Sequence, residues 1–135
     1  MIQNIIGSQL TTENQNFETP SLVETRQGVS VLYKDHFLYS KYDPSKAILN
    51  IISNLSIPEY SIILIFSPVL WLGLKELLAK LPATSSIAVF EYEKPLFDFA
   101  QENFPNELKD HLNNKIQIFN KSDIKKYFTF IQKQH

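Results

Sequence analysis

The apolar positions along the chain switch repeatedly between strand and helix periods, and those changes predict its elements. From Leu22 to Tyr39, short runs of β-branched and aromatic residues (Leu22–Thr25, Val29–Tyr33, Phe37–Tyr39) are separated by the turn candidates Gln27-Gly28 and Lys34-Asp35, which predicts an antiparallel three-stranded meander. The pattern then becomes helical. Asp43-Pro44 combines an acceptor for the orphan N–H groups of a first turn with a proline that has no N–H to lose, and Ala47, Ile48, Ile51, Ile52 and Leu55 follow on one face up to Pro58. Tyr60 to Phe66 is apolar on both alternating faces, the pattern of a strand covered by helices on each side, so it reads as the central strand. Ser67-Pro68 repeats the cap-plus-proline start, and Leu70, Leu74, Leu77, Leu78 and Leu81 form the stripe of a second helix.

Ile87-Ala88-Val89-Phe90 is a second apolar strand and ends in Glu91. A helix from about Lys94 to Asn103 turns Leu96, Phe97 and Ala100 inward, and Pro105 stops it. A short helix around Glu107 to Asn113, a strand Ile116–Phe119 and a closing helix with Ile124, Tyr127, Phe128 and Ile131 inward complete the order. Strands alternating with helices at this spacing imply parallel, right-handed crossovers. The predicted fold class is α/β: a Rossmann-like half sheet, three-layered and mostly parallel, over residues 43–135, preceded by the antiparallel β-meander over 21–42. Residues 1–20, rich in Asn, Gln, Thr and Ser, read as a weakly ordered arm of the same compact domain.

Composition narrows the partners. The 135 residues carry 13 Lys+Arg against 14 Asp+Glu, with no basic excess to attract nucleic acid or an anionic membrane. With no cysteine, disulfides, thiolate nucleophiles and cysteine-ligated metals are excluded. The N-terminus lacks the basic start and apolar core of a signal peptide, which points to the cytoplasm. Tyr60–Leu74 is too short and too interrupted to span a bilayer.

In a sheet of this kind ligands bind at the carboxyl ends of the strands, so 67–72, 91–95 and 120–123 should converge on one edge. Two readings of that edge stand side by side. In the first, Glu91 at a strand end hydrogen-bonds a ligand hydroxyl, with Ser67 and Trp71 lining the same site. In the second, Glu91 is a solvated strand end and Ser67 an ordinary cap. The turn Phe66–Gly73 lacks the closely spaced glycines through which backbone N–H groups approach a phosphate. His36, His111 and His135 have no metal-ligand spacing, and no nucleophile elbow, Walker loop or paired-histidine helix is present. Neither a metal nor a cofactor is predicted.

The segment Phe37-Leu38-Tyr39-Ser40-Lys41-Tyr42-Asp43-Pro44, the strand Tyr60–Phe66 and the run Ile87 to Phe97 together resemble the N-terminal region of the motility accessory factor (Maf) family, bacterial flagellin glycosyltransferase-like proteins related to MptE-like pterin enzymes. The resemblance spans about Leu22 to Phe104. It implies a Rossmann-like accessory domain without catalysis of its own, since the family's transfer of a nucleotide-activated nonulosonic sugar resides in a domain downstream. Where family members carry a glycine-rich turn, this chain has 67–73. What transfers is the signature Ser40, Lys41, Tyr42, Asp43 and Pro44 and the acidic strand end Glu91.

The leading expectation is therefore a non-catalytic accessory or interaction domain whose partner is another protein or a downstream transferase domain. The alternative is a small-molecule binder for S-adenosylmethionine or a nucleotide, akin to a methyltransferase. A third is a homo-oligomeric scaffold that pairs through an edge strand of the meander. The signature also has a mechanical reading, in which Asp43 caps the helix, Pro44 opens it and Tyr42 lies between meander and helix.

Overall fold

The computed structural model describes residues 19–120 and 122–134, apart from the side chains of Ile124, Ile131 and Gln134. The predicted arm lies outside the described residues over 1–18, as do the inward positions predicted for Ile124 and Ile131. The chain forms two units, 1–44 and 45–135.

The first unit holds an antiparallel sheet in the order β1-β2-β3, with β1 Ser21–Thr25, β2 Gly28–Tyr33 and β3 His36–Phe37. The second turn falls at Lys34-Asp35 as predicted, whereas the first is Arg26-Gln27, one residue before the predicted Gln27-Gly28, because Gly28 already pairs with Thr25 in the ladder. Arg26 and Gln27 connect the paired Thr25 and Gly28, and the Thr25 hydroxyl donates to the Gly28 carbonyl at 2.7 Å while accepting the Gln27 N–H at 3.2 Å. Lys34 and Asp35 both take positive φ (50° and 64°) between the paired Tyr33 and His36, as a two-residue turn matched to strand twist requires. Val31 and Tyr33 are buried.

The second unit begins with α1, Lys46–Ser53. Its N-cap is Ser45, without a side-chain cap bond, so Asp43 does not cap the helix as predicted. Ser40 does the local bonding instead, its hydroxyl accepting the N–H groups of Tyr42 (3.0 Å) and Asp43 (3.2 Å). Tyr42 is 71% exposed, with the Lys41 ammonium 5.4 Å from its ring centre, and is not sandwiched between elements. On α1 only Ile48 and Ile52 join the core, while Ala47, Ile51 and Leu55 are exposed.

The parallel sheet has the order β4-β5-β6, with β4 Ile62–Phe66, β5 Ser86–Glu91 and β6 Ile116–Asn120. The central strand is therefore β5, and β4, expected at the centre, is an edge. An apolar run at every position shows that both faces are greasy but not that both are covered. One face carries the main core: Ile87, Val89 and Ile116, buried, and Ile63, Ile65 and Ile118, partly buried, meet Ile52 of α1, Leu74 and Leu77 of α2 (Leu74–Lys80), and Ala100 of α3 (Lys94–Glu102). Leu108, in the 3₁₀ turn Asn106–His111, joins them. On α3, Leu96 and Ala100 are buried as predicted, but the buried phenylalanine is Phe99 rather than Phe97.

The other face is covered only in part. Helix α4, Ile124–Gln134, lays Tyr127 and Phe130 on Phe119, with ring centres 5.5 and 5.8 Å away, and Tyr127 also meets Phe90 at 4.8 Å. Phe128 is exposed rather than inward. Phe66 stacks on Phe90 at 5.6 Å but remains 69% exposed, and Leu64 is 45% exposed. The aromatic row thus runs from a covered end at β6 to an open end at β4.

Candidate functional site

Parallel register brings the three strand ends together. Ser67 extends β4 by one ladder bond, its N–H donating to the Phe90 carbonyl at 2.9 Å, and Glu91 is the register partner of Asn120. Of the segments predicted to converge, the topology brings together the strand ends Ser67, Glu91 and Asn120.

Glu91 is 3% exposed. Its Oε2 accepts the N–H groups of Tyr92 (2.9 Å) and Glu93 (3.4 Å) and the hydroxyl of Ser67 (3.3 Å). Its Oε1 is enclosed and has no hydrogen-bond partner. A buried carboxylate oxygen without a donor is costly, and among the described residues Glu91 Oε1 is the buried side-chain oxygen left without a partner. Sequence reasoning places Glu91 at the strand end but not in the interior.

Trp71 belongs elsewhere. It is 5% exposed, donates its indole N–H to the Ala100 carbonyl at 2.7 Å and meets Phe104 edge-on at 4.8 Å, so its side chain sits in the core and not beside Ser67 and Glu91. The segment ahead of α2 explains this. Ser67, Val69, Trp71 and Gly73 all take positive φ (53°, 52°, 60° and 83°), which makes 67–73 an irregular turn, and α2 starts at Leu74 with Gly73 as its N-cap. Leu70 precedes the helix whose stripe it was expected to join, and Ser67-Pro68 is not its cap. Positive φ is costly for a β-branched residue, and here it turns Val69 and Trp71 inward. The Trp71 and Leu74 N–H groups are used on the Pro68 and Trp71 carbonyls, so neither of these amides is left to meet an anion.

At β6, the Asn120 side chain accepts from the Ser122 N–H (2.9 Å) and hydroxyl (2.7 Å), and Asp123 accepts the Asn120 N–H at 3.0 Å, a loop satisfied by its own groups. The signature residues Lys41, Tyr42 and Asp43 line an open groove with Glu24, Thr25, Arg26 and Gln27, carrying two charges of each sign. Among the described residues no group of three or more His, Asp or Glu could hold a metal, and no helix is long and apolar enough to cross a membrane.

No family model matches the chain, and no solved structure matches it. An uncharacterized protein of Treponema pallidum (strain Nichols) is similar, 32% identical over 89 residues that make up 66% of this chain and 16% of that protein. The chain therefore spans well under two thirds of the relative it matches.

Proposed function

We propose that the chain is a non-catalytic accessory or interaction domain of the type that precedes the transferase domain in Maf-like flagellin glycosyltransferases. It works by presenting the open flank of its parallel sheet to another protein. The observation that carries this reading is the uncovered end of the aromatic row, Leu64 and Phe66 on a strand that is an edge among the described residues. Exposed aromatic and aliphatic groups next to a free strand edge are the ingredients of a docking surface. The resemblance at Phe37–Pro44 and Ile87–Phe97 supports the family context, and a match to a small part of a much longer protein suits a domain that serves others.

The test places a photo-crosslinking phenylalanine analogue at Phe66 and, as control, at Tyr92, which is also exposed. Incubation with purified flagellin and transferase should give an adduct from position 66 and little from 92. No adduct with flagellin, with the transferase or with a second copy of the chain, or equal labelling from both positions, overturns the reading.

A second reading, binding of S-adenosylmethionine or a nucleotide, is favoured by the unpartnered Oε1 of Glu91, which a ligand hydroxyl or amine would satisfy. A thermal-shift panel of S-adenosylmethionine, dinucleotides, cytidine-monophosphate sugars and pterins checks it. A ligand at 100 times its Kd adds about 2.7 kcal/mol, and that shift should vanish in Glu91→Ala. A flat panel removes this reading.

A further inference from the structure

The free edge of β4 has a polarity that can be read residue by residue. The Ser61 carbonyl accepts the Ser86 N–H and the Ser67 N–H donates to Phe90, so the odd-numbered residues of this strand bond to β5. By strand alternation, Ile62, Leu64 and Phe66 direct their N–H and C=O groups away from β5, and among the described residues no strand pairs with that edge. The same three residues place their side chains on the incompletely covered face. Natural edges are blunted by charge, proline or a bulge. Here residues 60–67 contain none of the first two, and the first charged residue after Glu59 is Lys75.

We propose that this edge pairs with the same edge of a second copy, antiparallel, about a two-fold axis at Leu64. The proposal rests on the interaction-domain reading and names its partner. The register is self-complementary. Leu64 exchanges both backbone bonds with its symmetry mate and Ile62 does so with Phe66, which places apolar side chains opposite each other at every position on both faces. With no charge in 60–74, the two-fold brings no like charges together along the strand. The two parallel sheets become one continuous sheet in the order β6-β5-β4-β4-β5-β6, and the open ends of both aromatic rows meet in its middle. An exposed aromatic offers up to about 150–250 Å². With Leu64 and the strand backbones, the joined flanks bury on the order of 800–1,000 Å² in total, the small end of specific interfaces, so the dimer is weak and depends on concentration.

The absence of cysteine makes a direct test available. In hydrogen-bonded antiparallel pairs the Cα atoms lie about 5.5 Å apart, within disulfide reach. Leu64→Cys should therefore oxidise to a covalent dimer at micromolar protein, whereas Tyr92→Cys should not. Sedimentation of the unmodified chain should show a monomer–dimer equilibrium. Leu64→Lys or Leu64→Glu alone should raise its Kd at least tenfold, and a mixture of the two should recover association as a heterodimer. A chain that stays monomeric up to about 1 mM, a dimer indifferent to Leu64→Lys, or equal oxidation of both cysteine variants overturns the self-pairing. If the chain is monomeric but the Phe66 probe still captures flagellin or transferase, self-pairing alone fails. If the probe also captures nothing, the interaction-domain reading fails with it.

Discussion

Gly73 joins two constraints that a single methyl group would violate. Its φ is 83°, and a Cβ built there would meet Ile52 Cδ1 at 2.6 Å and Ile48 Cγ2 at 2.7 Å, both on α1. The left-handed conformation costs an alanine about 1–2 kcal/mol. Forcing a methyl between two packed isoleucines adds about 1–3 kcal/mol. Gly73→Ala should therefore destabilise the second unit by roughly 2–5 kcal/mol, lowering Tm by about 10 °C or more. The single tryptophan is Trp71, buried two residues away, and reports urea unfolding directly. Ile52→Val removes the nearer atom. It should cost about 1 kcal/mol in the parent chain but less than that, or nothing, in the Gly73→Ala background, giving a coupling of about 1 kcal/mol. Gly28→Ala is the control, since its Cβ would meet nothing within 4 Å and only the backbone at φ 131° resists. A Gly73→Ala chain within about 0.5 kcal/mol of the parent, or an Ile52→Val effect equal in both backgrounds, refutes the reasoning.

Trp71→Phe should lose about 2–3 kcal/mol, because the buried Ala100 carbonyl is left without its indole donor; far-UV circular dichroism in urea measures it. Glu91→Gln keeps an acceptor for the Tyr92 N–H and should change stability by less than about 1 kcal/mol, whereas Glu91→Ala strips the bonds at Tyr92, Glu93 and Ser67 and should cost about 1–3 kcal/mol, read from the same melts. Lys80→Met should cost about 1 kcal/mol and speed amide exchange in the last turn of α1, because the Lys80 ammonium closes the carbonyls of Ile52 (2.7 Å), Ser53 (2.9 Å) and Leu55 (3.1 Å).

Local signals are sufficient for much of the fold. Lys34-Asp35 announces its turn, Ile116–Asn120 its strand and Lys94–Glu102 its helix, because in each the chemistry that decides the conformation lies within a few residues. The position of β4 is not legible. Ile62–Phe66 is as apolar as a central strand, and what makes it an edge is which strands follow it in space, a property of the sheet. The turn 67–73 misleads for a related reason: a serine and a proline suggest a helix start, but Val69 and Trp71 take positive φ and the Trp71 indole is buried against Ala100, a packing partner 29 positions away. For the strand-end site, the convergence of Ser67, Glu91 and Asn120 follows from topology alone. The enclosure of Glu91 and the removal of Trp71 from its neighbourhood depend on packing that no spacing rule encodes.

The two sheets differ in how much chain must be gathered before a pair can close. In the meander the register partners Thr25 and Gly28 are 3 positions apart and Ser21 and Leu32 only 11, whereas Ile62 meets Ser86 across 24 positions and Ile87 meets Ile116 across 29. Loop closure must precede the reward of pairing, so the meander zips locally while the parallel sheet waits for two crossovers to find their places. In a chain emerging from the ribosome, β4 is complete long before β6, and its apolar residues spend that interval without even the partial cover they have in the finished fold. Within the parallel sheet, the strand least protected at the end is also the one exposed longest on the way there.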